Sequence, residues 1–458
     1  MVRTGLTGCT KSGTRPRRSG FETDSAWRIG CIAQPRATTK CGPVYPLARN
    51  RPSPAANRSQ AADVPSLALK ETGNTGSVPL SPRNSLASTC VLLAVLALVP
   101  NCKKVVPVPE RWDRTFGGAD DDEGAAVARC SDGGYVVVGT TSSFGAGESD
   151  IYLVKADAKG NLVWTHTFGD SDDDYGQSVQ TTTDGGCIIA GYIGDSVCLI
   201  KTDAEGNQVW TKTFGDAAMD GGLSVLQTRD RGYGVLYEVH CGDVEYACLA
   251  KTDESGDLSW SEFLNIIGES VLQTSDDGYV VVGEVNEPYS ACYDVGLGRV
   301  DASGHAVWAN AYRRLESEDY GYSVQPTADG GYIIAGEAES QVYIIRTDAD
   351  GNEVWTRTLY GECEASGRSI ERTDDDGYIV AGWSEDGVLL LRLDADGDSL
   401  WAVTYGGAGS AVDDSRYSVR QTSDGGYIVS GTFDQFGFSD EDVWLMKTDS
   451  DGKAWVWH

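Results

Sequence analysis

An acidic turn recurs seven times after residue 110, and this repetition limits the fold more than any other feature of the sequence. Each copy reads Asp, any residue, Gly and then Tyr, with Cys replacing Tyr once, and a run of aliphatic residues follows it. The copies begin at Asp132, Asp184, Asp230, Asp276, Asp329, Asp375 and Asp424. A repeat of about 50 residues indicates one supersecondary unit stacked against its neighbours, about twice the length of a solenoid coil.

Two further signatures accompany each turn. A basic residue stands two positions before an Asp at Lys155, Lys201, Lys251, Arg299, Arg346, Arg392 and Lys447. A tryptophan follows each of these after a Gly-containing turn, at Trp164, Trp210, Trp260, Trp308, Trp355, Trp401 and Trp455, and Trp112 precedes the first unit. Because Gly supplies the positive φ that tight hairpins need, each unit is predicted to be a four-stranded antiparallel meander.

The sequence therefore predicts an all-β fold, a seven-bladed β-propeller of four-stranded antiparallel blades over residues 111–458. One sheet cannot bury both of its faces alone, and closing seven sheets into a ring covers them. The Ser-Val run of each unit is expected to be innermost and the Trp run outermost. We expect Trp112–Phe116 to complete the last blade. The reverse arrangement, in which the residues from Trp455 onward complete it, stays open.

The first 110 residues differ from the rest. Residues 1–85 have no strand or helix periodicity and are predicted to be a disordered leader. Residues 86–102 contain an apolar run that is shorter than a membrane span and is typical of an export signal, and residues 103–110 form a linker. Cys102 stands where a lipidated cysteine would follow such a signal, with ordinary cleavage nearby as the alternative. Since the run starts so late, we hypothesise that translation begins near Val78 or Leu80.

The charge is strongly negative and unevenly distributed. Lys and Arg number 37 against 68 Asp and Glu, a net charge of −31, although residues 1–110 hold 15 basic and only 5 acidic residues. The acidic part of the chain after residue 110 repels nucleic acid and anionic lipid and favours cations and basic partners. We therefore expect no nucleic-acid partner, and contact with a membrane only through an N-terminal lipid anchor. The export-like segment predicts an extracytoplasmic protein, either secreted or anchored at a membrane surface.

Acidic residues cluster in the links between units. These links share one end of a propeller, here called the link face, with the loops that follow the Asp-x-Gly-Tyr strands. The candidate metal ligands in the links are Asp120, Asp121, Asp122, Asp172, Asp173 and Asp174. The aromatic candidates in the loops are Tyr289, Trp383 and Phe436, which we expect to be exposed. Aromatic rings beside carboxylates suit a sugar, a basic peptide or a cation.

Three glutamates at equivalent positions of consecutive units make this hypothesis more specific. The strands that follow the acidic turns are expected to end in Glu238, Glu284 and Glu337 in three consecutive units. Carboxylates brought together on one rim repel each other, which raises a pKa or recruits a cation such as calcium. Three separately solvated side chains are the alternative. A calcium-dependent rise in melting temperature that is lost when all three become Gln distinguishes the two.

The repeats resemble those of the delta-60-type propellers of exported bacterial and archaeal proteins. The resemblance covers residues 111–458 and rests on W-T-x-T-F-G, on S-V-x-x-T-x-D-G-G-Y-I-I-A-G and on K-T-D-A-x-G-N. It implies a propeller fold but no common reaction. More distantly, D-x-x-G-x-x-x-W is similar to the turn and docking tryptophan of quinoprotein dehydrogenases and of the outer-membrane assembly propeller BamB. Nothing in this sequence matches the quinone and calcium site of the quinoproteins.

The sequence favours a binding module over an enzyme. It contains four His residues and no GxSxG, HExxH or phosphate-binding glycine loop. We therefore expect a non-catalytic binding or scaffold module for an unknown protein or glycan, basic or neutral in charge, or for a cation. The alternative is a quinoprotein-like or hydrolytic enzyme that uses carboxylates of the link face.

Overall fold

The computed structural model describes residues 111–216, 224–241, 244–286, 292–314, 317–359, 364–406, 416–434 and 441–454. The leader (1–85), the export-like segment (86–102), its Cys102 and the linker (103–110) lie outside these residues, as does the end of the chain from Trp455. Within the described ranges no helix is long and apolar enough to cross a membrane.

The described residues form twenty-eight strands in seven antiparallel sheets of four. Blade 1 consists of β2 (Asp122–Arg129), β3 (Tyr135–Thr141), β4 (Asp150–Ala156) and β5 (Leu162–Phe168). Blade 2 consists of β6 (Asp174–Thr181), β7 (Cys187–Ile193), β8 (Ser196–Thr202) and β9 (Gln208–Asp216). Blade 3 consists of β10 (Ser224–Gln227), β11 (Tyr233–Cys241), β12 (Val244–Thr252) and β13 (Leu258–Leu264). Blade 4 consists of β14 (Ile267–Gln273), β15 (Tyr279–Asn286), β16 (Tyr293–Val300) and β17 (Ala306–Tyr312).

The remaining blades close the ring. Blade 5 consists of β18 (Asp319–Pro326), β19 (Tyr332–Ala338), β20 (Gln341–Thr347) and β21 (Glu353–Leu359). Blade 6 consists of β22 (Ala365–Arg372), β23 (Tyr378–Ser384), β24 (Gly387–Leu393) and β25 (Ser399–Gly406). Blade 7 combines β26 (Ser418–Gln421), β27 (Tyr427–Asp434) and β28 (Glu441–Thr448) with β1 (Trp112–Phe116) from the start of the ring. The predicted closure is thereby confirmed, since Trp112 pairs with Lys447 and Phe116 with Val443.

The inner strands surround a common axis, and the core lies between blades. Each first strand contacts the first strands of the two neighbouring blades, so that β2, β6, β10, β14, β18, β22 and β26 form the inner ring. Between blades 1 and 2, for example, Val138 and Leu153 pack with Ile189 and Ile200, all 0% exposed. Burying a side chain of this kind stabilises the fold by about 1.5–3 kcal/mol. The expected placement of the Ser-Val run at the centre is thus confirmed.

The outer tryptophans join each blade to the next. Trp260 of blade 3 covers Gly304 in a turn of blade 4, and a Cβ atom added to that glycine would lie 2.7 Å from the indole ring. The same contact joins Trp112 to Gly160, Trp164 to Gly206, Trp210 to Gly256, Trp308 to Gly351, Trp355 to Gly397 and Trp401 to Gly452. All seven glycines have positive φ. The tryptophan column therefore has a structural role.

Serines of the inner strands join blades near the axis. The backbone N–H of Val225 donates to Ser178 Oγ of the preceding blade at 3.2 Å. Equivalent bonds run from Val271 to Ser224, from Ile370 to Ser323 and from Val419 to Ser369. The Ser-Val signature thus supplies an acceptor for a backbone donor that the blade's own ladder leaves unused.

Candidate functional site

A β-bulge turns one residue of the inner strand toward the axis in five blades. In blade 5, Gly321 pairs with Gly336 and Ser323 with Ala335, so Tyr322 has no partner in the ladder. The bulged residues of the five blades are Ala125, Gln177, Glu269, Tyr322 and Arg368. A bulge re-aims a side chain in this way without breaking the sheet. Together with Arg416, which precedes β26, we call these residues the axial ring.

The axial ring surrounds a cavity of about 190 Å³ whose lining comes from all seven blades. Arg368 and Arg416 contribute two positive charges and Glu269 one negative charge. Arg416 Nη1 lies 4.0 Å from a carboxylate oxygen of Glu269, whose side chain is 20% exposed. Burial raises the pKa of Glu269, and the nearby Arg416 and Arg368 oppose that rise. The guanidinium of Arg368 stacks 4.2 Å from the ring centroid of Tyr322.

A row of tyrosines extends from the axial ring toward the link face. The rings of Tyr322 and Tyr320 are stacked with centroids 6.1 Å apart, and Tyr293 of blade 4 lies 6.3 Å from Tyr320. The hydroxyl of Tyr320 donates to a carboxylate oxygen of Glu318 at 3.0 Å. We call Tyr293, Tyr320 and Tyr322, with Glu284, Glu318 and Glu337, the tyrosine–glutamate wall.

The carboxylates of this wall raise the pKa values of the same two tyrosines. Burial and the hydrogen bond to Glu318 raise the pKa of Tyr320, and the charges of Glu284 and Glu337 add to the rise. Burial also raises the pKa of Tyr322, against the effect of Arg368 and with that of both glutamates. Glu337 pairs with Tyr320 across the β18–β19 ladder. Glu284 and Glu337, from neighbouring blades, therefore share one pair of aromatic rings.

A second cavity adjoins the axial cavity, on the side away from the tyrosine–glutamate wall. It measures about 210 Å³ and lies between blades 7, 1 and 2, where Glu123, Tyr175 and Glu441 line it. Arg416 lines both cavities. The axial cavity is thus bordered by acidic walls on two sides.

Two of the three predicted glutamates lie in the tyrosine–glutamate wall, and the third is buried. Glu284 and Glu337 are half-buried in the tyrosine–glutamate wall. Glu238 is only 4% exposed, so it is not presented to solvent on the binding face as expected. The equivalent residues Tyr192, Trp383 and Thr432 are buried as well, so this strand position generally faces a neighbouring blade and not solvent. Calcium at these residues stays a prediction.

Trp383 also requires a correction. Its ring was expected to be exposed on the link face, but it is 9% exposed and packs with Tyr405 and Tyr417 between blades 6 and 7. An indole at this strand position fills the space between two blades. Tyr289 and Phe436, the other two aromatic candidates, lie outside the described residues.

The candidate metal ligands in the links take part in loop hydrogen bonds. Asp122 accepts the Gly118 N–H at 2.7 Å and the Ser143 hydroxyl at 2.9 Å, and Asp174 accepts the Asp170 N–H at 2.7 Å. The same two links contain the other four candidates, Asp120, Asp121, Asp172 and Asp173. Among the described residues, no three His, Cys, Asp or Glu side chains are grouped as metal ligands. A metal at these six aspartates stays a prediction.

The axial ring and the tyrosines were missed by sequence reasoning, although a signal for the ring is present. The inner strands repeat Gly-x-Ser-Val, and x is the one position that changes character from unit to unit, as in Gln177, Glu269 and Arg368. A variable residue inside a repeated motif indicates a side chain that the fold does not need. The tyrosines were missed because Tyr293 belongs to no repeated motif and Tyr320 has an equivalent only in blade 2, at Tyr175.

Comparisons with known proteins establish no family. No family model and no curated protein sequence matches this chain. Among solved structures it is similar to Sqt1 from Chaetomium thermophilum, with 11% identity and a TM-score of 0.45, covering 70% of this chain and 82% of that one. A structure of YCF48 bound to D1 peptide is similar with 11% identity and a TM-score of 0.46, covering 74% of this chain and 96% of that one. A structure of puromycin hydrolase is similar with 14% identity and a TM-score of 0.47, covering 68% of this chain and 50% of that one. Likeness at this level says nothing about what this chain binds.

Proposed function

We propose that this protein is a non-catalytic binding module that acts outside the cytoplasm and recognises a basic partner through the tyrosine–glutamate wall. The observation that carries the proposal is the position of Tyr320, which stacks on Tyr322 and is acted on by both Glu284 and Glu337. An ammonium or guanidinium group placed against these rings gains cation–π attraction and the charge of two carboxylates together.

The charge of the whole protein supports the same class of partner. A net charge of −31 accelerates the approach of basic molecules and disfavours anionic ones. At the opposite end of the ring, the turn aspartates pair with lysine or arginine within their own blades, so those charges are already offset. The turn aspartates are therefore less favourable sites for a basic partner than their number suggests.

The extracytoplasmic location rests on the N-terminal sequence. The apolar run within residues 86–102 supports export, and Cys102 supports a lipid anchor. The resemblance to exported delta-60-type propellers supports the same location. Mass spectrometry of the natural protein, which detects an acylated N-terminal Cys102 or a free N-terminus nearby, tests this part of the proposal.

Titration calorimetry with the full chain tests the partner class. The probe is an eight-residue peptide of alternating Lys and Ala, and the same peptide with acetylated lysines controls for charge. We expect the double variant E284Q/E337Q to bind the lysine peptide about fivefold to tenfold more weakly at low salt, as expected for two partly screened charge pairs. The matched control is E205Q/E353Q, which removes two exposed glutamates outside the wall.

Two outcomes would overturn the proposal. One is equal affinity of the wild type and E284Q/E337Q for the lysine peptide. The other is an equal loss in E205Q/E353Q, which would mean that only the net charge matters.

A further inference from the structure

Two arginines face one cavity at the centre of this acidic protein. Arg368, Arg416 and Glu269 all line the axial cavity, and Arg416 Nη1 lies 4.0 Å from a carboxylate oxygen of Glu269. Arg368 is half-buried against Tyr322, and the Arg416 side chain is 37% exposed. Two guanidinium groups in one cavity favour an oxygen anion as ligand, because each offers a planar set of N–H donors.

The serines of the inner ring add donors to the same cavity. Ser224, Ser323 and Ser369 line it, and each Oγ already accepts a backbone N–H from the next blade. A hydroxyl that accepts one bond still has its own proton to donate. The cavity thus combines guanidinium and hydroxyl donors, with Glu269 as the main acceptor, which suits a ligand that brings its own acceptor oxygens.

We propose that the axial cavity binds a small monocarboxylate, with its two oxygens accepting hydrogen bonds from Arg368 and Arg416. This site goes beyond the proposed function, since it lies on the axis and takes a ligand of opposite charge. Arg–carboxylate pairs form two parallel N–H···O bonds, which fixes the ligand's orientation. The serine hydroxyls complete the shell around the carboxylate.

Charge and volume define the ligand class. A monocarboxylate brings a single negative charge to the two arginines, whereas a phosphate dianion would bring a second negative charge toward Glu269. A cavity of about 190 Å³ corresponds to about six water molecules, at about 30 Å³ each. A carboxylate of about four to six non-hydrogen atoms therefore fits.

Ligand-observed NMR with the wild-type full chain tests the charge requirement without any substitution. The probes are propionate, propionamide, which has the same shape without the charge, and inorganic phosphate. We expect saturable binding of propionate and binding of propionamide that is weaker by about tenfold or more, since a hydrogen bond to a charged group is lost. Equal binding of propionate and propionamide, or phosphate binding as tight as that of propionate, would overturn the proposal.

Variants then locate the site. R416Q and R368Q are each expected to weaken propionate binding about tenfold, and R231Q, which removes an exposed arginine from a turn at the opposite end, is expected to leave it unchanged. If R368Q does not fold, R368K preserves the charge and is expected to bind more weakly than wild type, because lysine lacks the planar fork. Undiminished binding in R416Q together with either folded Arg368 variant would place the ligand elsewhere.

Discussion

Lys201 Nζ lies 2.9 Å from a carboxylate oxygen of Asp184, an ion pair between the buried end of one strand and the turn that precedes another. The lysine side chain is 6% exposed and the aspartate 63%. The same pair recurs as Lys155–Asp132, Lys251–Asp230, Arg299–Asp276, Arg346–Asp329, Arg392–Asp375 and Lys447–Asp424. Two signatures that repeat separately along the sequence are therefore two halves of one interaction.

These pairs predict cooperative unfolding in acid. Burial alone would raise the pKa of Asp184, but hydrogen bonds from Thr182, Lys201 and Gly186 outweigh it and lower the pKa from 3.8 to about 2. The pKa values of the six equivalent aspartates are also lowered. A lowered pKa stabilises the fold above the unfolded value and loses that contribution as the pH falls through the folded value. We expect tryptophan fluorescence to report unfolding between about pH 4 and pH 2.

A substitution at one pair tests its contribution. D184N leaves Lys201 without its carboxylate, and because Asp184 is largely exposed we expect a loss of only about 1 kcal/mol in the free energy of unfolding at pH 7. D195N, in an exposed turn of the same blade, is the matched control and is expected to change little. Urea denaturation measures both, and equal stability of the two variants at pH 7 would show that the pair contributes nothing.

Tryptophan docking can be separated from backbone strain by two glycine substitutions. Gly304 and Gly330 have nearly the same φ, +88° and +90°, but a Cβ at Gly304 meets Trp260 at 2.7 Å whereas a Cβ at Gly330 meets nothing within 4 Å. G330A should cost about 1–2 kcal/mol, the penalty of the left-handed conformation. G304A should cost a further 1–3 kcal/mol or so, because the indole must move. Equal losses in denaturant unfolding would show that the tryptophan contact is dispensable.

The serine bonds between blades give a third prediction. Ser369 Oγ accepts the Val419 N–H at 3.3 Å in a buried setting. S369A leaves that donor without its acceptor and should cost about 1–3 kcal/mol in the free energy of unfolding. Blade 1 has Ala126 at the equivalent position, which makes A126S the complementary variant. We expect A126S to be neutral or stabilising, and a destabilisation as large as that of S369A would contradict this role of the hydroxyl.

Most of the fold was predictable from the sequence because its determinants are repeated. Seven copies of the Asp-x-Gly-Tyr turn set the number of blades, and the extra Trp112 indicated how the last blade closes. The partnership of Lys201 with Asp184 was not predicted, since a spacing along the chain does not show which strand ends meet in space.

Less of the candidate site was predictable. Glu284 and Glu337 were found because they occupy the same position in equivalent strands of neighbouring blades. Glu238 follows the same register but is buried, as are Tyr192 and Thr432 at the equivalent position of other blades. Arg416 could not have been assigned, because it stands where the other inner strands have Gly and its repeat departs from the motif.

Hydrogen–deuterium exchange of the full chain, with and without the lysine–alanine peptide, tests the central claim most directly. Binding at the tyrosine–glutamate wall should slow exchange in the first half of β18, around Tyr320, and at the ends of β15 and β19 that carry Glu284 and Glu337. Protection confined to the Asp-x-Gly-Tyr turns at the opposite end of the ring, with β18 unchanged, would contradict it.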